Sequence, residues 1–86
     1  MNKHHQILLK ILTGTSDANI GFSDLCKLLL HLGFQERTRG SHHIFYKDKI
    51  PEIIHLQPRG SNAKPYQVKQ VRNIILKYQL AGDVDE

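Results

Sequence analysis

The chain has no tryptophan and one cysteine, Cys26. A single cysteine cannot close an internal disulfide, so the fold must hold without a covalent crosslink, which suits a reducing compartment. Cys26 sits among apolar residues and reads as an inert core thiol. Long apolar runs are also missing. The longest, such as Leu28-Leu29-Leu30, span three residues, against the roughly 20 needed to cross a bilayer. Residues 1–6 lack the apolar stretch of a signal peptide, so the expected location is the cytosol and no membrane partner is expected. Six histidines are present, but neither an HxxxH nor a CxxC spacing occurs, so no metal site is expected. A glycine-rich phosphate loop, a Ser–His–Asp arrangement and paired carboxylates are absent too, and no cofactor is expected.

Acidic residues are scarce where it matters. From Arg37 to Lys77 there are nine bases and only two acids, Asp48 and Glu52, a local charge of +7 against +4 for the whole chain. Three acids in the last four residues lower the total. A basic field of this kind attracts polyanions, and a nucleic acid backbone is the usual one. With 86 residues and 40% hydrophobic content, the chain suits one folded domain and excludes wholesale disorder.

The hydrophobic pattern sets the element order. Ile7, Leu8, Ile11 and Leu12 predict a helix over 4–12, stopped by Thr13-Gly14. Residues 14–21 are rich in turn formers and read as a loop. Phe22, Leu25, Leu28, Leu29 and Leu32 form the stripe of a second helix, with Ser23 or Asp24 as cap or first-turn acid and Gly33 as the stop. From Phe34 the period changes to alternation. Strands are predicted at 34–38, 42–47 and 52–57, joined by turns at Arg39-Gly40 and Lys47-Asp48-Lys49, giving an antiparallel meander. Residues 58–64 read as a loop. Pro65 suits the first turn of a last helix that runs to about Leu80. Val68, Val71, Ile74, Ile75 and Tyr78 share its apolar stripe, and Lys69, Arg72, Asn73 and Lys77 lie opposite. Leu76 and Leu80 fall off the stripe and are candidate contacts for a protein partner. Gly82 and the acids after it read as a frayed tail. The expected fold is α+β: a two-layer sandwich, with a three-stranded antiparallel sheet covered by helices. Its last five elements follow the α-β-β-β-α order of a double-stranded-RNA-binding domain, preceded by an extra N-terminal helix. The expected boundaries are 1–21 for the extension, 22–80 for the core and 81–86 for the tail.

The segment Arg39-Gly40-Ser41-His42-His43-Ile44-Phe45 carries the chemistry. A histidine just after a turn, at the start of a strand, has a fixed backbone and a ring near the sheet rim. Its unperturbed pKa lies near neutrality, so it can move protons there. RNA supplies its own nucleophile, the 2′-hydroxyl, so cleavage needs only a base, cations for the phosphate and in-line geometry. Neighbours on a strand face opposite ways, which argues against His42 and His43 acting as a pair on one phosphate. With Phe45 inward, His42 faces outward beside Tyr46, which could stack on a base. His55 is a surface histidine that could also supply a general acid from across the sheet. His4, His5 and His31 read as solvated. Arg37, Arg39, Ser41, Lys64 and Lys69 are the candidate RNA contacts, the last two at the positive end of the final helix.

A helix ending Leu32-Gly33-Phe34, a short strand, the run Gly40-Ser41-His42-His43-Ile44-Phe45 and a terminal helix after a basic, proline-containing loop resemble the HicA family of type II toxin–antitoxin systems over residues 22–80. The resemblance implies a double-stranded-RNA-binding-like fold, a ribonuclease that cuts mRNA when free, and a HicB-type antitoxin that binds and silences it. It implies a catalytic histidine after the Gly-Ser turn. This maps to His42, or to His43 where the histidine stands one residue later. The chain departs from many members at Ile54-His55-Leu56-Gln57-Pro58 and at Lys64-Pro65-Tyr66-Gln67, and by its N-terminal extension. A binding module that grips RNA without cutting shares the fold and the charge, but gives no reason for a histidine at the turn.

Overall fold

A computed structural model describes residues 3–84. Helix α1 spans Lys3–Thr13 and buries Ile7, Leu8 and Ile11. The following loop contains one 3-10 turn, Asp17–Asn19. Helix α2, Phe22–His31, starts from Gly21 without a side-chain cap, and Asp24 lies in its first turn. It buries Leu25, Cys26, Leu28 and Leu29. Gly33 then turns the chain with φ +98°, a conformation glycine adopts without steric cost.

Three strands follow: β1 Gln35–Arg39, β2 His42–Lys47 and β3 Ile50–Leu56. They form one antiparallel sheet in the order β1-β2-β3. The β1–β2 hairpin pairs Arg39 with His42, Thr38 with His43, Arg37 with Ile44 and Gln35 with Tyr46. The β2–β3 pair matches His43 with Leu56, Ile44 with His55 and Phe45 with Ile54, then shifts register before Lys47 meets Ile50. Phe45, Ile50, Ile54 and Leu56 point into the core. The opposite face is open, with Gln35, Arg37, Arg39, His42 and His55 exposed on it. The sheet and helices form the expected two-layer α+β arrangement, compatible from α2 onward with the α-β-β-β-α order of a double-stranded-RNA-binding domain.

The segment 58–64, read as a loop, instead forms a small hairpin of β4 Pro58–Arg59 and β5 Asn62–Ala63. The Phe22 N–H donates to the Ser61 carbonyl and the Ala63 N–H to the Ile20 carbonyl. The hairpin thus ties the entry of α2 to the entry of helix α3, Pro65–Lys77. Pro65 occupies the first turn of α3, and Val68, Val71, Ile74 and Ile75 face the core.

Two expectations for the last helix are corrected. Leu80 is not a partner contact. The helix ends at Tyr78, Gln79 adopts φ +55°, and the 3-10 turn Leu80–Val84 brings Leu80 back into the core at 7% exposure. Only Leu76 stays out, at 59%. This 3-10 turn also replaces the start of the frayed tail, and residues 85 and 86 lie outside the described residues. Nor does Arg72 lie on a solvated face. Its guanidinium donates to the Asp17 carboxylate at 2.9 Å and to the Ile11 carbonyl at 3.1 Å, fastening α3 to the end of α1 and the loop after it.

Candidate functional site: an open sheet face and its histidine turn

Gly40-Ser41 closes the β1–β2 hairpin, with Gly40 at φ +61°. Strand alternation beyond this turn separates the two histidines. His42 is exposed and shares the uncovered face with Ile44 and Tyr46. Directly opposite positions on antiparallel strands share a face, so Gln35, Arg37 and Arg39 of β1 and His55 of β3 belong to it as well. Arg37, Arg39, His42 and Tyr46 are therefore gathered on one surface, with His55 on the far strand.

His43 turns the other way, toward α2. Its Nδ1 lies 2.6 Å from Glu36 Oε2, and both side chains are about one-quarter exposed. An ionised carboxylate can only accept, so the nitrogen facing it carries the hydrogen. The ring of Phe22 meets the imidazole edge to face, with centroids 4.9 Å apart. Behind this pair lies Cys26, whose thiol pKa is pushed up to about 12 by burial and then by the nearby Glu36 charge.

Ser41 and Lys64 meet at the end of the sheet through Gln57. The Gln57 amide donates to Ser41 Oγ at 3.4 Å, and Lys64 Nζ donates to Gln57 Oε1 at 3.0 Å. The Gln57 backbone N–H donates to Oε1 of Gln67, a side chain only 4% exposed. Lys64 caps α3 with no side-chain bond to its amides, so the positive end of that helix is open beside the ammonium. Lys69 is exposed one turn further along α3 and takes no part in this network. A shallow cleft lined by Ala18, Arg59, Asn62, Ala63 and Pro65 adjoins the same helix start.

Among the described residues, two of the nine bases between Arg37 and Lys77 are tied up in ion pairs, Arg72 with Asp17 and Lys77 with Glu52. The free positive charge is thus concentrated toward the sheet and the start of α3. His4 and His31, expected to be solvated, stack on each other with ring centroids 4.3 Å apart. Glu36, Phe22, Gln57 and Gln67 were given no role at the site by the sequence. Tyr66, 66% exposed beside Lys64, was also passed over.

No described helix is long and apolar enough to cross a membrane. The family model described as the HicA toxin of bacterial toxin-antitoxin systems matches residues 22–79, from the first residue of α2 to just beyond α3. No curated protein and no solved structure matches the chain. The matched span covers more than half of the sequence and contains the whole sheet, the histidine turn and α3: the chain belongs to the HicA toxin family, the toxin side of toxin–antitoxin systems.

Proposed function

We propose that the chain is a metal-independent endoribonuclease that cuts mRNA in the cytosol and is silenced by a HicB-type antitoxin. Family membership supports the toxin role. The observation that carries the chemistry is the exposed His42 on the open sheet face, opposite Arg39 and in line with Tyr46. His42 takes the proton of a 2′-hydroxyl, and the freed oxygen attacks the adjacent phosphorus. Arg37, Arg39, Ser41 and Lys64 hold the phosphates, with Lys69 further along the strand of RNA, and Tyr46 stacks on a base. The departing 5′-oxygen needs a proton. His55 stands opposite Ile44, which makes it the diagonal neighbour of His42 on the same face, at roughly 7–8 Å between backbone positions. A phosphate fits between two such rings. The products carry a 2′,3′-cyclic phosphate and a 5′-hydroxyl.

A second reading has one observation in its favour. The Glu36 carboxylate orients His43, and an imidazole held in one tautomer by a carboxylate is a well-prepared base. In that reading the RNA approaches the rim between β2 and α2.

The test is induced expression of the parent and of His42→Ala, His43→Ala and His55→Ala in a host without the antitoxin, following growth and the chemistry of RNA ends. The parent is expected to arrest growth and leave cyclic-phosphate ends. His42→Ala, still folded, should lose roughly 10²–10⁴ of the cleavage rate, the usual contribution of a positioned general base. Loss in His43→Ala alone selects the second reading. Three variants as toxic as the parent point to a non-catalytic RNA-binding module, and 5′-phosphate ends overturn the 2′-hydroxyl mechanism.

A further inference from the structure

We propose that Cys26, Glu36 and His43 form a binding site for a thiophilic divalent cation, zinc above all. The three residues come from α2, β1 and β2. One ligand atom from each lies within 4.8 Å of the others. The register explains why they converge. Thr38 faces His43 across the hairpin and Glu36 faces Phe45, so Glu36 and His43 are diagonal neighbours on the inner face. Cys26 comes down on them from the covering helix. All three residues lie in regular elements, Cys26 in α2, Glu36 in β1 and His43 in β2, so their backbones are brought together before any ion arrives.

The donor set is selective. Thiolate, imidazole and carboxylate are the ligands that zinc takes, whereas magnesium and calcium favour sites built from oxygen alone. Zinc sits about 2.0–2.3 Å from such donors, which for a tetrahedral site places the donors roughly 3.3–3.8 Å apart. Glu36 and His43, now 2.6 Å apart, must open by about 1 Å, and Cys26, within 4.8 Å of both, must close in by at most about 1 Å. Side-chain rotation at Glu36 and His43 suffices, because both are partly exposed. The same exposure gives the ion its entry and leaves a fourth position for water. Binding displaces the thiol proton to solvent.

Zinc bound here would take His43 and Glu36 out of proton transfer; that consequence rests on the ribonuclease reading, while the site itself does not. Purified full-length protein, stripped with a chelator, is titrated with Co²⁺ alone as a coloured stand-in for zinc. Cys26 is the only cysteine in the chain, so sulfur-to-cobalt charge-transfer absorption can arise nowhere else. The band is expected to saturate at one ion per chain and to disappear when Zn²⁺ is added. It should be lost in Cys26→Ala. Its apparent affinity should fall at least about tenfold in Glu36→Gln and in His43→Gln, and stay unchanged in His31→Gln, which alters only the stacked surface pair. Circular dichroism checks that each variant is folded. If Cys26→Ala does not fold, the two partly exposed donors carry the test. A folded parent with no charge-transfer band overturns the proposal, as does a band that Glu36→Gln and His43→Gln leave intact.

Discussion

Glu52 shows how one side chain can tie acid sensitivity to the fold. Its carboxylate accepts from Lys77 Nζ at 2.8 Å and from the Tyr78 hydroxyl, joining β3 to the end of α3. The Lys77 bond first, and then the Tyr78 bond, hold its pKa at about 2 against an ordinary 4.5. The folded-state value lies below the unfolded one. The stabilisation is therefore fully present above about 4.5 and is lost as pH falls through about 2. Thermal melts of the parent should lose stability across that window, and Glu52→Gln should flatten the dependence; an equally steep fall in the variant would show that other carboxylates set it. Little of this was legible beforehand, because the sequence places Glu52 and Lys77 25 residues apart. The outward turn of His42 was legible, since strand alternation and an inward Phe45 suffice to derive it. The partnership of His43 and Glu36 was within reach but unused. A two-residue turn at Gly40-Ser41 fixes the register, and that register puts positions 36 and 43 on one face.

Among the elements, those defined by a long period were read well and those defined by contacts were not. The stripes of α1, α2 and α3 and the β2 strand follow from spacing alone. The β4–β5 hairpin has two residues per strand, too few for alternation to register, and Pro58 and Gly60 dress it as a loop. Leu80 failed for a different reason. Helical spacing was carried two residues past Tyr78, where Gln79 in the left-handed region redirects the chain. Arg72 failed because a helical wheel cannot show a distant loop folding over it. The Leu80 correction has a measurable outcome. Leu80→Ala removes a buried side chain and should cost about 2–5 kcal/mol. Leu76→Ala, at an exposed site, should stay within about 0.5 kcal/mol. Urea unfolding of both variants checks the contrast, and equal effects would mean that Leu80 is not in the core in solution.

For the whole molecule, the span that defines the family is not the span that folds. The family match begins at Phe22, yet Ile7, Leu8 and Ile11 of α1 are almost wholly buried in the shared core. Burying such side chains contributes about 1.5–3 kcal/mol each, so their joint loss is on the order of 5–9 kcal/mol, comparable with the entire stability of a small domain. A chain starting at residue 21 should lack a cooperative thermal transition, and one as sharp as the parent's would show that α1 is dispensable. The sequence set this helix aside as an extension. Its apolar stripe was plain, but nothing in the pattern says which surface a stripe will cover.

The first and last helices are also fastened to each other, with Arg72 of α3 bonded to the Ile11 carbonyl of α1. During synthesis α1 leaves the ribosome well before α3, so the core has no closing wall until α3 has emerged. Lys64, which anchors one side of the histidine corner, arrives on that same late helix. A nascent chain therefore carries its histidines and arginines well before it has a surface on which they are aligned.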